Sequence, residues 1–407
     1  MTIPPDLPAG TLVSDVDPYT DAALEDPTEF HDLLLGDAPL VWLTKYGAYA
    51  VGRHETVREG LRDWRRLISS AGVGLTDRRT QGMWRTPSLL LEADPPEHTS
   101  RRAVLNRMFS PRALGGLEET FDRAADALMD EILEAGTVDG VRDIAEAYPL
   151  KVFTLALGLP PDIAPHLVIY GDVAFNATGP ANERTRRTLA AAEESIAVVT
   201  RMTQDRNLQP GSLGALLWEA VDAGELAADE APMLMRSILG AGVDTTVAAL
   251  ASAIHQLATH PGQWARLARD PGLAKVAFDE AIRVDSAVQM FYRLAVTDTD
   301  LPGPVRLPAD SRVLLSLGAA NRDPRRYEHP HRFDVMRAAS GHVGFGVGIH
   351  ACVGMHLARL EGQSLLSALA RKAGSIEPAG KPERLLNNTL RCWGSLPITV
   401  HPPRSTG

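Results

Sequence analysis

One of the two cysteines in this 407-residue chain lies in a loop that is unusually rich in glycine. The stretch GHVGFGVGIHACVGMHLARLE, residues 341–361, carries Cys352, with glycines at positions 344, 346, 348 and 354. Glycines let the backbone approach a large flat group without interference from a Cβ atom. The residues that follow favour a helix, whose unpaired N–H groups and positive dipole end would stabilise a thiolate at Cys352.

A thiolate on a bare loop, shielded by the aromatic ring of Phe345, has the properties that an axial ligand to haem iron requires. An iron–sulfur cluster needs several cysteines, and a zinc site needs further ligands nearby. The other cysteine, Cys392, forms no CxxC pair with Cys352, so neither a disulfide framework nor a structural zinc site is expected. A buried structural cysteine in a glycine-rich turn is the alternative, and it suits Cys392 better than Cys352.

A second candidate site is the segment GAGVDTT, residues 240–246. It lies within a predicted helix that runs from about Pro232 to His260, roughly 40 Å at 1.5 Å per residue, and must therefore cross the core. Two glycines and an acid–alcohol pair are poor helix formers, which indicates a functional site in the middle of that helix. Close packing of helices is the alternative explanation. The apolar stripe of the helix is formed by Leu234, Ile238, Ala241, Thr245 and Ala248.

A third feature is Glu280 in LAKVAFDEAIRV, which falls in the apolar phase of its helix. A buried carboxylate is costly unless it is paired, and Arg283 stands one turn further along the same face. We therefore predict a buried ion pair between Glu280 and Arg283. An exposed i,i+3 pair would contradict the apolar phase.

The elements that must position these residues are mainly helical, with a small β region. Strand-like pieces are short, as in SRVLLSLG and LPITVHP, whereas long runs of good helix formers end at glycine or proline. We find no repeat and no linker, so we expect one domain over residues 1–407, with an extended segment at 1–20.

Composition excludes several classes of protein. A net charge of −10 argues against nucleic-acid binding. No window approaches ~18 consecutive apolar residues, and the N-terminus lacks the pattern of a signal peptide, so we expect no membrane association and a cytoplasmic location. Residues 101–112 and 321–337 are rich in arginine. They predict either solvated surface or a docking face for an acidic protein.

The stretch FGVGIHACVG resembles the haem-binding loop of the cytochrome P450 family, Phe-x-x-Gly-x-(His/Arg)-x-Cys-x-Gly. GAGVDTT resembles the oxygen-activating helix of that family, EAIR its Glu-x-x-Arg helix, and DPPEHTSRR a segment that supplies ligands to the haem propionates. These matches follow the order of the family and extend from residue 94 to residue 361. The resemblance implies the cytochrome P450 fold, with the long central helix crossing the core over haem b.

The resemblance also implies a role for each matched residue. Cys352 would be the axial ligand of the iron, and Asp244 and Thr245 would deliver protons to the co-substrate O2. Arg332 would join the network of Glu280 and Arg283. Electrons from NAD(P)H would arrive through a ferredoxin reductase and a ferredoxin, which would dock on the basic segments. The other residues expected to contact the haem are His98, Arg102, Ala241, Arg293, Phe345, Gly346, His350 and Gly354.

The residues themselves favour a small carboxylate as substrate. Arg85 and Ser88 are donors in an otherwise apolar segment, residues 84–92, and Arg236 and Ser237 are donors on the long helix. Ser237, Ala241 and Thr245 share one helix face, which places Ser237 roughly 12 Å along the axis from Thr245. An anion held near Ser237, with one aromatic ring between it and the oxygen, would fill that distance.

Segments such as RTPSLLLEADPPEHT, FNATGPANE and RSILGAGVDTTV are similar to a bacterial branch of the family that oxidises para-substituted benzoates. That similarity implies O-demethylation of a substrate such as 4-methoxybenzoate, with release of formaldehyde and a phenol. One departure is Thr178, where the branch typically has phenylalanine, so a bulkier or meta-substituted benzoate is also expected to fit. The carboxylate would contact Arg85, Ser88, Arg236 and Ser237, and the ring would contact Leu91, Phe175, Ala241, Val288 and Phe291.

Other functions remain open at this point. A monooxygenase for a neutral phenol, a terpenoid or an antibiotic precursor would need no cluster of donors at Arg85. A peroxide-driven haem enzyme would have less use for Asp244 and Thr245. A haem-binding sensor or carrier without turnover would keep Cys352 and the propionate ligands but would not need the acid–alcohol pair.

Overall fold

A computed structural model describes residues 6–82 and 85–403 of the chain. The helices are α1 Asp21–Glu25, α2 Thr28–Leu35, α3 His54–Arg62, α4 Glu97–Met108, α5 Pro111–Leu114, α6 Glu118–Ala135, α7 Ala147–Leu157, α8 Ala164–Asn176, α9 Glu183–Ala191, α10 Glu193–Met202, α11 Leu213–Asp222, α12 Glu230–Gly242, α13 Asp244–Thr259, α14 Pro261–Arg269, α15 Ala274–Asp285, α16 Leu317–Asn321 and α17 Met355–Lys372. The strands are β1 Thr11–Ser14, β2 Leu40–Leu43, β3 Ala48–Val51, β4 Leu67–Ile68, β5 Thr137–Asp139, β6 Met290–Ala295, β7 Thr299–Leu301, β8 Val305–Leu307, β9 Ser311–Ser316, β10 Ser375–Pro378, β11 Glu383–Leu386, β12 Arg391–Ser395 and β13 Pro397–His401. The expectation of a mainly helical chain with a small β region is confirmed.

The largest sheet among the described residues has the strand order β1-β2-β3-β9-β6-β4. Its strand β6 pairs antiparallel with β9, and Arg293 lies opposite Val313. Because side chains alternate along a strand, Phe291 and Arg293 point to one face and Tyr292 to the other. The segment expected to be extended, residues 1–20, contains β1, while residues 1–5 and Trp84 lie outside the described residues.

The central helix begins at Glu230 and ends at Thr259, but it is interrupted at Val243, between α12 and α13. The predicted helix from about Pro232 to His260 is confirmed in its extent, and its interruption falls within GAGVDTT, the segment of poor helix formers. Thr245 contributes to the interruption because its hydroxyl donates to the Ala241 carbonyl at 2.9 Å. A threonine that bonds back in this way competes with the backbone hydrogen bonds of the helix.

By length and composition alone, the run Glu230–Thr259 could cross a membrane. However, 67% of its most apolar window is buried inside the protein, as expected for a core helix. Helix α13 packs against α15, and α17 packs against both α15 and α6. The central helix and the start of α17 therefore lie in the same core.

Candidate active site

The loop before α17 holds Cys352 in a defined backbone conformation. The Cys352 N–H donates to the Phe345 carbonyl at 2.7 Å. Gly346 and Gly348 have φ values of 65° and 76°, in the left-handed region that favours glycine. Helix α17 begins at Met355, three residues after the cysteine. The glycines are therefore required by the path of the backbone as well as by the space in front of Cys352.

The Cys352 thiol is exposed within a cavity but enclosed by protein. Burial raises the pKa of this thiol, while the Gly354 amide and the guanidinium groups of Arg102 and Arg359 oppose the rise. The backbone amide at the start of α17 and the two guanidinium groups thus offset only part of the effect of burial on the thiolate. A metal ion bound to the sulfur would supply the rest, because a coordinating thiol is deprotonated outright.

Two histidines beside the loop have buried nitrogen atoms without a hydrogen-bond partner among the described residues. These atoms are Nε2 of His98 and Nε2 of His350, and the two rings lie 4.5 Å apart between centroids. His350 lines the cavity together with Arg102 and Arg293, and His98 packs behind it. Asp94 Oδ1 lies 3.8 Å from His350 Nε2, which is too far for a hydrogen bond. Two guanidinium groups and two imidazoles whose Nε2 atoms make no hydrogen bond within the described part of the chain fit a ligand with two carboxylates, such as haem.

A cavity of about 280 Å³ extends from Cys352 to Arg85. The central helix crosses it, and Ala241 and Thr245 line it directly. All the residues expected to contact haem, except His98, line the cavity as well. They are Arg102, Ala241, Arg293, Phe345, Gly346, His350, Cys352 and Gly354. One space therefore joins the cysteine to the expected substrate residues.

The structure separates Asp244 from Thr245. Thr245 lines the cavity, whereas the Asp244 carboxyl lies against Gly171 of α8 and does not line it. Successive residues on a helix point roughly 100° apart, so a pair of neighbours cannot share one face. Burial, together with the nearby carboxyls of Asp172 and Glu146, raises the pKa of Asp244 well above its usual value. Asp244 and Thr245 thus lie on different sides of the helix, and the delivery of protons by this pair stays a prediction.

The end of the cavity away from Cys352 is formed by a cluster of donors. The hydroxyls of Ser88 and Ser237 lie 2.8 Å apart and join the 85–92 segment to α12. Arg236 Nη2 donates to the Thr86 carbonyl at 2.7 Å, and Arg85 Nη1 lies 2.7 Å from Glu92 Oε2. Arg85, Ser88, Arg236 and Ser237 all line the cavity. The structure thus brings together four residues that are 152 positions apart at most in the sequence.

Comparison with known proteins places these features in a family. A family model described as Cytochrome P450 matches residues 273–383. The chain is 45% identical to cytochrome P450 CYP199A2 of Rhodopseudomonas palustris, over 99% of this chain and 98% of that protein. The chain belongs to the cytochrome P450 family.

Other relatives agree with this membership. The cytochrome P450 monooxygenase PikC of Streptomyces venezuelae is 32% identical, over 99% of this chain and 96% of that protein. Among solved structures, cytochrome P450 CREJ in complex with (4-ethylphenyl) dihydrogen phosphate superposes with a TM-score of 0.84, at 26% identity, over 93% of this chain and 98% of that one. The cytochrome P450 fold is confirmed.

As a P450, the protein is a bacterial-type monooxygenase that uses O2 and haem iron bound by a thiolate. Reducing equivalents reach such enzymes from NAD(P)H through redox partners. No group of three or more His, Cys, Asp or Glu side chains within residues 6–82 and 85–403 could hold a free metal ion.

The acid that lines the cavity of this P450 is Glu361, which the sequence analysis did not single out. Its Oε1 atom is buried without a hydrogen-bond partner among the described residues. Burial raises the pKa of Glu361 to about 8, and the Thr246 hydroxyl offsets part of the rise. The sequence signal that identifies Glu361 is its position in the apolar phase of α17, because Leu357, Glu361 and Leu365 are all buried at spacings of four.

The residues that the resemblance implied as contacts of a substrate ring line the cavity of this P450. They are Leu91, Phe175, Ala241, Val288 and Phe291. Thr178 lines it too, but its hydroxyl donates to the Phe175 carbonyl at 2.7 Å and lies 2.5 Å from the Thr389 hydroxyl. The hydroxyl at 178 is therefore engaged with the protein, and the main effect of this threonine is the space left by a missing ring.

The buried ion pair of this P450 includes a guanidinium that the resemblance did not assign. Glu280 and Arg283 are fully buried and lie 2.7 Å apart, as predicted. The second guanidinium on Glu280 comes from Arg337, whose Nε donates at 3.0 Å. Arg332 contributes its backbone carbonyl, which accepts from Arg283 at 3.2 Å. The assignment of the Arg332 side chain is corrected, because that side chain is exposed while Arg337 turns inward.

Proposed function

We propose that this P450 oxidises small aromatic carboxylates such as 4-methoxybenzoate, mainly by O-demethylation. The observation that carries the proposal is the single cavity that joins Cys352 to two guanidinium groups and two hydroxyls. A carboxylate at Arg85, Ser88, Arg236 and Ser237 would gain charge-assisted hydrogen bonds in a largely apolar enclosure. A neutral terpenoid would lie against two guanidinium groups that share one carboxylate, Glu92, and would supply no second negative charge.

In this proposal the residues of the chain have distinct tasks. Cys352 holds the haem iron, and His98, Arg102, Arg293 and His350 pair with its propionates. When bound, the haem supplies the oxygen-activating chemistry. Thr245 holds a proton beside the oxygen site, and Glu361 is the acid that lines the same space. Hydroxylation of the ether methyl gives an unstable hemiacetal, which releases formaldehyde and the phenol.

The walls of the cavity direct the substituent toward Thr245. Leu91, Phe175, Val288 and Phe291 pack around the ring, while Ala241 provides space beside the haem. Thr178 widens one wall, so the proposal includes meta-substituted or bulkier benzoates as secondary substrates. Deleting an aromatic ring from a cavity wall removes packing atoms and leaves volume that a larger ligand can fill.

The decisive experiment is a titration of the haem absorption band with benzoates, in the wild type and in Arg85→Ala. We expect 4-methoxybenzoate to bind at least about tenfold more weakly in the variant, because a charge-assisted hydrogen bond is lost. Neutral 4-methylanisole should bind equally to both proteins. Arg201→Ala, at an exposed position on α10, is the matched control. Unchanged benzoate affinity in Arg85→Ala would sink the proposal.

We propose a ferredoxin as the electron donor, a cytoplasmic location and one domain over residues 1–407. Not all of the arginines in the basic segments are available for docking: Arg322 lies 3.9 Å from buried Asp285, and Arg337 bonds to Glu280. Arg112 and Arg326 are exposed and support an electropositive face. Arg112→Ala should slow reduction by ferredoxin while leaving benzoate affinity unchanged. Equal reduction rates for Arg112→Ala and Arg201→Ala would contradict this docking face.

A further inference from the structure

Behind the donor cluster lies a carboxylate that does not line the cavity. Glu92 is 3% exposed, and its Oε2 atom accepts from Arg85 Nη1 and from the Ser88 N–H, each at 2.7 Å. The Glu92 N–H in turn donates to the Ser88 carbonyl at 3.1 Å. One buried acid thus contacts two residues of the proposed carboxylate site.

The charges around this end of the cavity are unequal. Arg85 and Arg236 contribute two positive charges, and Glu92 contributes one negative charge, which leaves one positive charge in excess. The neighbouring Arg101 is balanced by Glu230 at 2.8 Å. Beyond Arg85, the two carboxylates of Asp77 and Asp310 are balanced by buried Arg312 and by Arg79, which lies on the outer cleft and is 43% exposed. Exposed charges of this kind are screened by water and salt.

We propose that Glu92 is the positioning residue that sets the ligand charge of this site, and that it selects monoanions over dianions. The inference rests on the proposed function. A monoanionic carboxylate cancels the excess positive charge and leaves no net charge buried. A dianion, such as an aryl phosphate, leaves one negative charge uncompensated, and burial of an uncompensated charge is expensive. A neutral amide leaves the positive charge uncompensated.

The test compares three ligands that share the 4-methoxyphenyl group, by calorimetric titration of the haem-loaded protein at pH 8. They are 4-methoxybenzoate, 4-methoxybenzamide and 4-methoxyphenyl phosphate, which is a dianion at that pH. Glu92→Gln keeps an oxygen that can accept from the Ser88 N–H but removes the charge. We expect the affinity for the phosphate, relative to the benzoate, to rise roughly tenfold or more in this variant. The affinity for the amide should change less than about twofold, because a neutral ligand has no net charge to interact with the charge that is removed.

The matched control is Glu97→Gln, which removes one negative charge at an exposed position at the start of α4. We expect no change in the phosphate-to-benzoate ratio there. Weakening of all three ligands by one factor in Glu92→Gln would overturn the proposal, because it would show that Glu92 only shapes the segment. The proposed function is tested separately, since it predicts that the wild type binds benzoate and that Arg85→Ala weakens this binding. An absence of benzoate binding to the wild type would overturn both proposals.

A second measurement needs no variant, in case Glu92→Gln does not fold. The second pKa of an aryl phosphate lies near 6, so the same ligand is mostly a monoanion at pH 5 and a dianion at pH 8. The wild type should bind 4-methoxyphenyl phosphate more tightly at pH 5. The control, 4-methoxybenzenesulfonate, is a monoanion at both values and should show equal affinity. Tighter binding of the phosphate at pH 8, relative to this control, would overturn the proposal.

Discussion

The carboxyl of Asp244 packs directly against the Cα of Gly171, so that a methyl group at Gly171 would overlap it. Asp244 stands at the start of α13, and Gly171 lies inside α8. The glycine is therefore required by the acid that faces it. Together they connect the interruption of the central helix to the helix that carries Phe175.

We predict that Gly171→Ala lowers the free energy of unfolding by about 1–3 kcal/mol, because the new methyl group overpacks the contact. In an Asp244→Ala background the same change should stabilise the protein by roughly 0.5–1 kcal/mol, as expected for glycine to alanine inside a helix. Urea unfolding of the four proteins gives the coupling between the two positions. Equal effects in both backgrounds would show that the contact is not what constrains Gly171.

The ion-pair network predicts a difference between two nearby arginines. Arg337→Ala removes a donor from the fully buried Glu280 and should cost about 1–3 kcal/mol of unfolding free energy. Arg332→Ala keeps the backbone carbonyl that Arg283 uses and should stay within about 0.5 kcal/mol of the wild type. Denaturant unfolding of the two variants gives this comparison, because their midpoints report stability when the slopes of the transitions are equal. A larger loss for Arg332→Ala would restore the role that the family resemblance gave to that side chain.

The wall at Thr178 predicts a change in selectivity. Thr178→Phe should reduce turnover of 3-methoxybenzoate relative to 4-methoxybenzoate, because the added ring fills the space beside Phe175. Thr178→Val is the control, since it removes the hydroxyl that contacts Thr389 but adds no ring. Formaldehyde release from each substrate gives the ratio. If valine shifts the ratio as much as phenylalanine does, the hydroxyl rather than the volume sets selectivity.

Glu361 predicts a pH dependence of stability. Its pKa is raised from 4.5 to about 8 in the folded protein, so between these values the folded state keeps a proton that the unfolded chain has lost. This contribution is complete below pH 4.5 and is lost as the pH rises toward 8, by at most about 1.4 kcal/mol per pH unit. Glu361→Gln should remove that decline. Urea unfolding of both haem-loaded proteins between pH 5 and pH 8 measures it, and parallel profiles would contradict the buried neutral acid.

Most of the elements could be predicted from local sequence, and the family resemblance added residues that line the cavity around Cys352. The apolar phase that predicted a buried Glu280 depends only on the period of a helix, and the glycines around Cys352 report a backbone path that few other residues can adopt. Both signals are contained within about one or two helical turns. Both signals hold in the folded protein because they depend on backbone geometry within a few residues, which the surrounding structure has little freedom to change.

Contacts between distant segments could not be predicted in this way. Glu92 behind Arg85, Arg337 in place of Arg332, and Asp244 turned toward Gly171 all depend on which side chain the packed core leaves room for. A pattern along one helix specifies which face is buried, but it does not specify what packs against that face.

The sequence by itself thus determined the haem-binding loop, the central helix and a set of donors suited to a small carboxylate. Only the tertiary structure decided that those donors and Cys352 open onto one cavity, that Glu361 is the acid in it, and that Glu92 lowers the positive charge at its far end. The physical reason is the difference in the range over which these interactions act along the chain. Backbone preferences act over a few residues, whereas burial and charge depend on neighbours that are distant in sequence but lie within a few ångströms in the folded chain.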